Sequence, residues 1–304
     1  MRNGVIARGA MRGVLLLAAV AAGGAGFVST ADAGAWNQNA GAWFFKIGYD
    51  QWVTSQRFDS SGTRVPYRDP APPLFLDEFR SRALRVYTEY GLTPVTTVSA
   101  SGGYEWLRSI GDGAVELSSG LSDPRFQVKQ RIFEGPVAVS MFGDVKLPIG
   151  SRRPQSPALG SGAIDYGGGI AAGAALRSLY VSSEVGYFVR GGRLADQVPL
   201  SAEAGWSIRS DLVARAGLRS ALALEARPGG QAAFDPARSN SRDLTASLGV
   251  VLRGDPLDFA IEGERALAGR NTLAGDRFSF SIWRSSRPRK TTPTSRPGEN
   301  TGEP

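Results

Sequence analysis

The chain has 304 residues, 35 basic and 28 acidic side chains, a net charge of +7, and neither cysteine nor histidine. Lack of cysteine excludes disulfide staples, a thiol nucleophile and a soft metal site, and lack of histidine removes the usual base of hydrolytic triads. The length suits a single domain, and the surplus charge lies mainly at the two ends, so the body offers no basic face with interleaved aromatics for nucleic acid.

Residues 1–33 have the three parts of a secretory leader. Arg2, Arg8 and Arg12 precede an apolar stretch from Val14 to Val28, and Ala31-Asp32-Ala33 is a small-x-small cleavage site. A spanning helix is the alternative, but the stretch falls short of the ~20 residues a bilayer needs. Gly23, Gly24 and Gly26 also interrupt it. Maturation is expected at Gly34. Processing would leave a net charge of +5, of which +3 lies in Arg284–Pro304. The mean hydropathy of −0.16 does not separate a soluble chain from a membrane barrel, because barrel strands are apolar only at alternate positions.

From there, alternation with a period of two dominates. Trp43, Phe45, Ile47 and Tyr49 alternate with Phe44, Lys46, Gly48 and Asp50. Leu84, Val86, Thr88 and Tyr90 come next, then Phe126, Val128 and Ile132, then Val137, Val139, Met141 and Val145. Downstream, Val181, Val185 and Tyr187, then Ala204, Trp206 and Ile208, then Leu248, Val250 and Leu252 repeat the pattern. Phe259 and Ile261, and finally Phe278, Phe280 and Ile282, complete it. Strands are expected at 41–54, 81–91, 95–107, 123–133, 136–148, 164–176, 179–190, 199–208, 212–223, 242–253, 257–268 and 276–284.

The connections carry topology. Two- or three-residue turns lie at Leu92-Thr93-Pro94, Glu134-Gly135, Arg177-Ser178, Arg209-Ser210-Asp211 and Gly254-Asp255-Pro256. Longer connections at 55–80, 108–122, 149–163, 191–198, 224–241 and 269–275 fall between them. Alternating short and long connections between strands of roughly ten residues mark an all-β, transmembrane up-and-down antiparallel β-barrel of about 12 strands. Tight turns would face the periplasm and long loops the exterior. A secreted β-sandwich is the competing fold, but its strands would be nearer 5–6 residues. Trp43, Tyr49, Tyr90, Trp206, Phe278 and Phe280 fit interfacial girdles. The barrel is expected over 34–284. The stretch 285–304, with Pro288, Pro293, Pro297 and Pro304, reads as a disordered Pro/Arg-rich tail. The run Gly167–Gly173 opens no helix, so it is no nucleotide loop; small residues there would permit tight packing at the wall. No cofactor is implied.

Gly120-Leu121-Ser122-Asp123 opens a strand ending in Lys129-Gln130-Arg131-Ile132-Phe133. Lys146-Leu147-Pro148-Ile149-Gly150 follows one hairpin later, and Leu159-Gly160-Ser161-Gly162 precedes Asp165-Tyr166. This run, within about 80–176, resembles the G-L-G-D, K-L-P-T-G and L-G-S-G…D motifs of outer-membrane transporters grouped with the phenol meta-degradation pathway. Ser122 stands for a glycine and Ile149 for a threonine. The resemblance implies a barrel that moves hydrophobic or aromatic compounds. The family has no established catalytic residues to carry over.

The polar strand faces supply the candidate lumen lining. Its cations would be Arg85, Lys129, Arg131, Lys146, Arg190, Arg215, Arg219 and Arg253. Its anions would be Asp50, Glu89, Asp144, Glu184, Glu203, Glu262 and Glu264. Glu262 and Glu264 share a face and could act as an acid–base pair, but salt-bridged lumen lining is the preferred reading. The expected partners are the outer-membrane bilayer and a small solute. Three readings stay open: a non-enzymatic channel, a non-transporting structural or adhesive barrel, and a soluble sandwich.

Overall fold

In the computed structural model, the described residues are 34–67, 77–111, 114–150, 155–191, 195–224 and 242–286. The expected leader, the tail beyond residue 286 and the portions 68–76, 112–113, 151–154, 192–194 and 225–241 lie outside them. The strands in chain order are β1 (Trp43–Thr54), β2 (Gln56–Phe58), β3 (Arg64–Pro66), β4 (Glu78–Gly91), β5 (Thr96–Gly111), β6 (Ala114–Leu121), β7 (Arg125–Phe133) and β8 (Val137–Lys146). They continue with β9 (Asp165–Leu176), β10 (Leu179–Val189), β11 (Gln197–Arg209), β12 (Leu212–Ala223), β13 (Arg242–Leu252), β14 (Asp258–Arg270), β15 (Thr272–Leu273) and β16 (Asp276–Ser285).

The wall closes on itself. β1 pairs with β16 on one edge and β4 on the other, and β4 continues the wall to β5. The far edge of β5 is shared: Thr96–Ser101 pairs with β7, and Tyr104–Gly111 pairs with β6. Neighbouring strands then run in order from β7 through β14 to β16. β6 and β7 are therefore two halves of one wall strand, broken at Ser122-Asp123-Pro124, where proline cannot donate to the ladder. The barrel has twelve antiparallel wall strands, as the alternation predicts. The wall closes into a ring, as a sheet in lipid requires, and among the described residues β6 keeps one unpaired edge because it pairs with β5 alone.

The two faces follow the sequence pattern. Trp43, Phe45, Ile47 and Tyr49 are exposed on the outside, while Phe44 and Asp50 on the same strand are buried inside. The outer face is apolar almost throughout; Leu248, for example, is 71% exposed. Exposed aromatics gather at both levels where strands end. Trp43, Tyr90, Phe133, Trp206 and Phe259 lie toward the short turns. Tyr104, Trp106, Tyr166, Tyr187 and Phe278 lie toward the long loops. These are the two girdles of a membrane barrel.

Two loop expectations change. The stretch 108–122 is not a loop: β5 runs on to Gly111 and returns as β6, making a tall hairpin. The sequence signal is the dipeptide Asp112-Gly113, a hairpin-favouring pair that itself lies outside the described residues, between the paired Ile110 and Val115. The stretch 55–80 is partly regular. β2 and β3 form a hairpin that takes β15 as a third strand, a small sheet at the external mouth. Its turn is tied by the Asp59 carboxylate, which accepts from the Ser61 and Thr63 amides at 2.8 and 2.9 Å, and Gly62 adopts φ +88°. The Ser61 hydroxyl holds the Asp59 carboxyl below its ordinary range, helped by the Thr63 amide.

Candidate functional site

The interior divides into three levels, set by how far along each strand an inward residue stands. At the periplasmic end the floor is apolar. Phe44, Tyr180, Val213, Val251, Ala260 and Trp283, each within three residues of a strand end, form a buried cluster with Trp36, Tyr87 and Ala175. Phe44 lies 6.0 Å from Tyr87 and 6.4 Å from Trp283, ring to ring. Such edge-on and tilted contacts are favourable for aromatic pairs.

Trp36 belongs to a segment, Gly34–Ala42, that precedes β1; Gly34–Gln38 lie inside the barrel and Asn39–Gly41 are exposed. Polar side chains of the wall hold its backbone. Lys129 Nζ donates to the Gly34 carbonyl at 3.0 Å, and Ser140 Oγ reaches the Ala35 carbonyl at 2.6 Å and Asn37 Oδ1 at 2.8 Å. Thr97 Oγ1 accepts from the Gln38 amide at 2.8 Å, and Glu89 accepts from Gln38 Nε2 at 2.6 Å. The Trp36 ring meets Tyr180 edge-on at 6.0 Å and covers Gly173, where a Cβ would stand 2.9 Å from it. The glycine run on β9 thus makes room for rings: a Cβ on Gly169 would meet Phe142 at 2.7 Å, and one on Gly167 would meet Phe188 at 2.8 Å.

The middle level is charged. Arg85 bridges Asp50 at 3.1 Å and Glu105 at 3.0 Å. Arg277 lies between Asp50 at 3.9 Å and Glu264 at 3.7 Å, and Arg219 reaches Glu264 at 2.5 Å. Arg215 binds Glu262 at 2.9 Å. On the opposite wall Arg125 meets Asp144 at 3.2 Å, and Lys146 lies 2.8 Å from Asp165 and 3.6 Å from Asp123. Arg190 lies 3.8 Å from Asp165. Alternating signs on neighbouring strands make a belt in which each cation has a carboxylate. Within the belt opens a cavity of about 810 Å³, also lined by Gly34, Tyr87, Glu203, Ser161 and Leu159.

The external level is apolar again. Tyr67, Phe79, Leu107 and Leu273 form a buried cluster with Trp52 and Leu159. Tyr67 follows the β2–β3 hairpin, and its hydroxyl lies 3.1 Å from Ser109 Oγ on the wall. The described part of the first external loop, through Tyr67, therefore packs against the wall at the external mouth.

Of the candidates from sequence, Asp50, Arg85, Lys146, Arg190, Glu203, Arg215, Arg219, Glu262 and Glu264 line the cavity. Glu89 and Lys129 stand lower, 4.0 Å apart and nearly buried, engaged with the N-terminal segment. Asp144 is buried beneath Arg125, and Glu184 faces inward on β10, opposite Ser201 and Ala171. Arg131 and Arg253 sit at the periplasmic rim. Arg131 binds the Pro94 carbonyl at 2.7 Å and Glu134 at 3.0 Å, and Arg253 stands one residue beyond β13. The Glu262–Glu264 pair is divided between Arg215 and Arg219. Arg277, Glu105, Asp123, Arg125 and Asp165 belong to the belt although they were not singled out. Arg277 and Glu105 lie within the expected strands 276–284 and 95–107, on the face opposite Phe278 and Trp106; Asp123 lies in the break between β6 and β7, where alternation has no say.

No family model matches the chain, and no curated protein matches its sequence. The COG4313 outer membrane channel from Pseudomonas putida F1 superposes with a TM-score of 0.64 at 16% identity, over 86% of this chain and 100% of that one. The NanC porin gives 0.48 at 9% identity, over 78% and 98%. A toluene transporter of Ralstonia pickettii, TbuX, gives 0.42 at 11% identity, over 82% and 90%. The first of these likenesses establishes the fold, that of an outer-membrane β-barrel; the other two are too distant to argue from.

Proposed function

We propose that this barrel is an outer-membrane channel for small molecules with an apolar or aromatic body. The observation that carries the reading is the lumen itself: a cavity of about 810 Å³ walled by the paired charges of the belt with Tyr87 and Leu159, in a barrel that has an apolar cluster toward each end. Pockets that bind small organic molecules are of this size. The belt supports the same solute class. Its cations are already matched by carboxylates, so a charged solute would have to break an ion pair to be held. A neutral ring could pass Tyr87 and Leu159 of the lining without breaking an ion pair. The likeness to transporters of the phenol meta-degradation group points the same way.

Passage needs the Gly34–Ala42 segment to shift, because it fills the periplasmic half. Its grip is several hydrogen bonds, each worth about 0.5–1.5 kcal/mol net, together with the packing of Trp36, so release is an infrequent opening. Planar-bilayer recording is the test. The intact chain should carry small, flickering currents that phenol or toluene blocks reversibly and hexoses do not. Silence from both the intact chain and a Trp36→Ala variant with the heat-modifiable mobility of a folded barrel would overturn the proposal.

A further inference from the structure

The outer face carries one departure from its apolar character. Arg80 and Arg82 on β4 and Arg108 on β5 share the outward parity of Leu84, Val86, Tyr104 and Trp106. They stand near the external ends of their strands, just beyond the Tyr104–Trp106 pair, whose rings are 4.8 Å apart. Arg80 and Arg108 are direct cross-strand partners, and Arg82 faces Trp106. Like charges placed directly opposite repel. Among the described residues only Glu78 offers a carboxylate, to Arg80 at 2.9 Å. Arg80 Nε is buried and has no hydrogen-bond partner. Alongside lies a groove of about 350 Å³, lined by these three arginines together with Trp106, Leu117 and Ser119. Leu117 is 70% exposed.

A guanidinium on the lipid face costs about 2–4 kcal/mol at the bilayer midplane and about 0–1 near the interface, so this level is the headgroup region. Three cations with one anion, one unmatched donor and an adjoining apolar wall suit an amphiphile with phosphate at its head. Arginine recognises phosphate through paired N–H donors. We infer that Arg80, Arg82 and Arg108 form an outward-facing site for the phosphate-bearing headgroup of an outer-leaflet glycolipid, with its first acyl carbons against Trp106 and Leu117. The site is separate from the lumen and would persist if the channel reading failed.

Native mass spectrometry of the full barrel tests this, using a bis-phosphorylated lipid A and its dephosphorylated counterpart. The phosphorylated lipid should remain bound, and the dephosphorylated one should not. Each arginine-to-glutamine change should weaken binding roughly tenfold, as loss of a charge-assisted hydrogen bond would. Inorganic phosphate in excess should not displace the lipid; displacement would reassign the site to free phosphate. Equal retention of both lipids, or an R80Q/R82Q/R108Q barrel that binds as the native one does, would overturn the inference. Should the triple variant not fold, R82Q alone decides: Arg82 is exposed and its loss leaves the Arg80–Glu78 pair intact.

Discussion

Gly173 shows how one residue can govern the interior. A Cβ there would stand 2.9 Å from the Trp36 ring and 3.2 Å from the Ala35 Cβ. Gly173→Val should therefore expel the N-terminal segment, at a cost of about 1–3 kcal/mol for overpacking. In planar bilayers the variant should conduct more steadily than the native chain. Unchanged conductance would mean that the segment is not the barrier. Ser140 works from the opposite wall. Its hydroxyl serves both the Ala35 carbonyl and Asn37, and the side chain is fully buried. Ser140→Ala leaves that carbonyl unpaired, a loss of about 1–3 kcal/mol from the docked segment alone. Hydrogen exchange should show faster exchange at the Gln38 amide with the wall strands unaffected.

Among elements, the β2–β3 hairpin is held by the least. It has six strand residues, pairs with the two-residue β15, and depends on the Asp59 turn. The Asp59 carboxyl is depressed by the Ser61 and Thr63 contacts, so its contribution is present above the ordinary carboxylate range and is lost as pH falls through its lowered value. Acidification below the ordinary carboxylate range should loosen the hairpin, and Asp59→Asn should loosen it at neutral pH. A spin label at exposed Thr63 would report both. Equal label mobility at neutral and acidic pH would rule the mechanism out. The tall β5–β6 hairpin is different in kind. It keeps eight ladder pairs, from Tyr104–Leu121 to Gly111–Ala114, and holds the external girdle upright.

For the whole molecule, the belt links β1, β4, β5, β12, β14 and β16 through Asp50, Arg85, Glu105, Arg277, Glu264 and Arg219. Arg85→Ala would strip Asp50 and Glu105 of a shared cation. Because Arg85 is 44% exposed to the lumen, the loss should be about 1–2 kcal/mol rather than the larger cost of a fully buried pair. The electrical effect should be clearer than the stability effect. The lumen would gain net negative charge, and the reversal potential across a potassium chloride gradient should shift toward cation selectivity. No shift would place the belt away from the ion path.

Alternation, turn spacing and girdle aromatics determined much about this protein before any coordinates. They specify which face of each strand meets lipid, how many strands the wall has, and which ends carry loops, because a strand's side chains must alternate and a membrane requires closure. Arg85, Glu262 and Arg215 were legible as lumen residues for that reason alone. The lipid-side arginines, by contrast, were not: Arg80 and Arg108 fall in the expected connections 55–80 and 108–122, and Arg82 stands second in the expected strand 81–91, before its apolar alternation begins at Leu84. Tertiary structure alone decided what fills the lumen. Gly34–Ala42 has no period, and its inward fold depends on Ser140, Lys129 and Gly173, which stand about a hundred residues or more away in sequence. Contacts across the barrel depend on its diameter and on strand stagger, and a repeat of two residues carries neither.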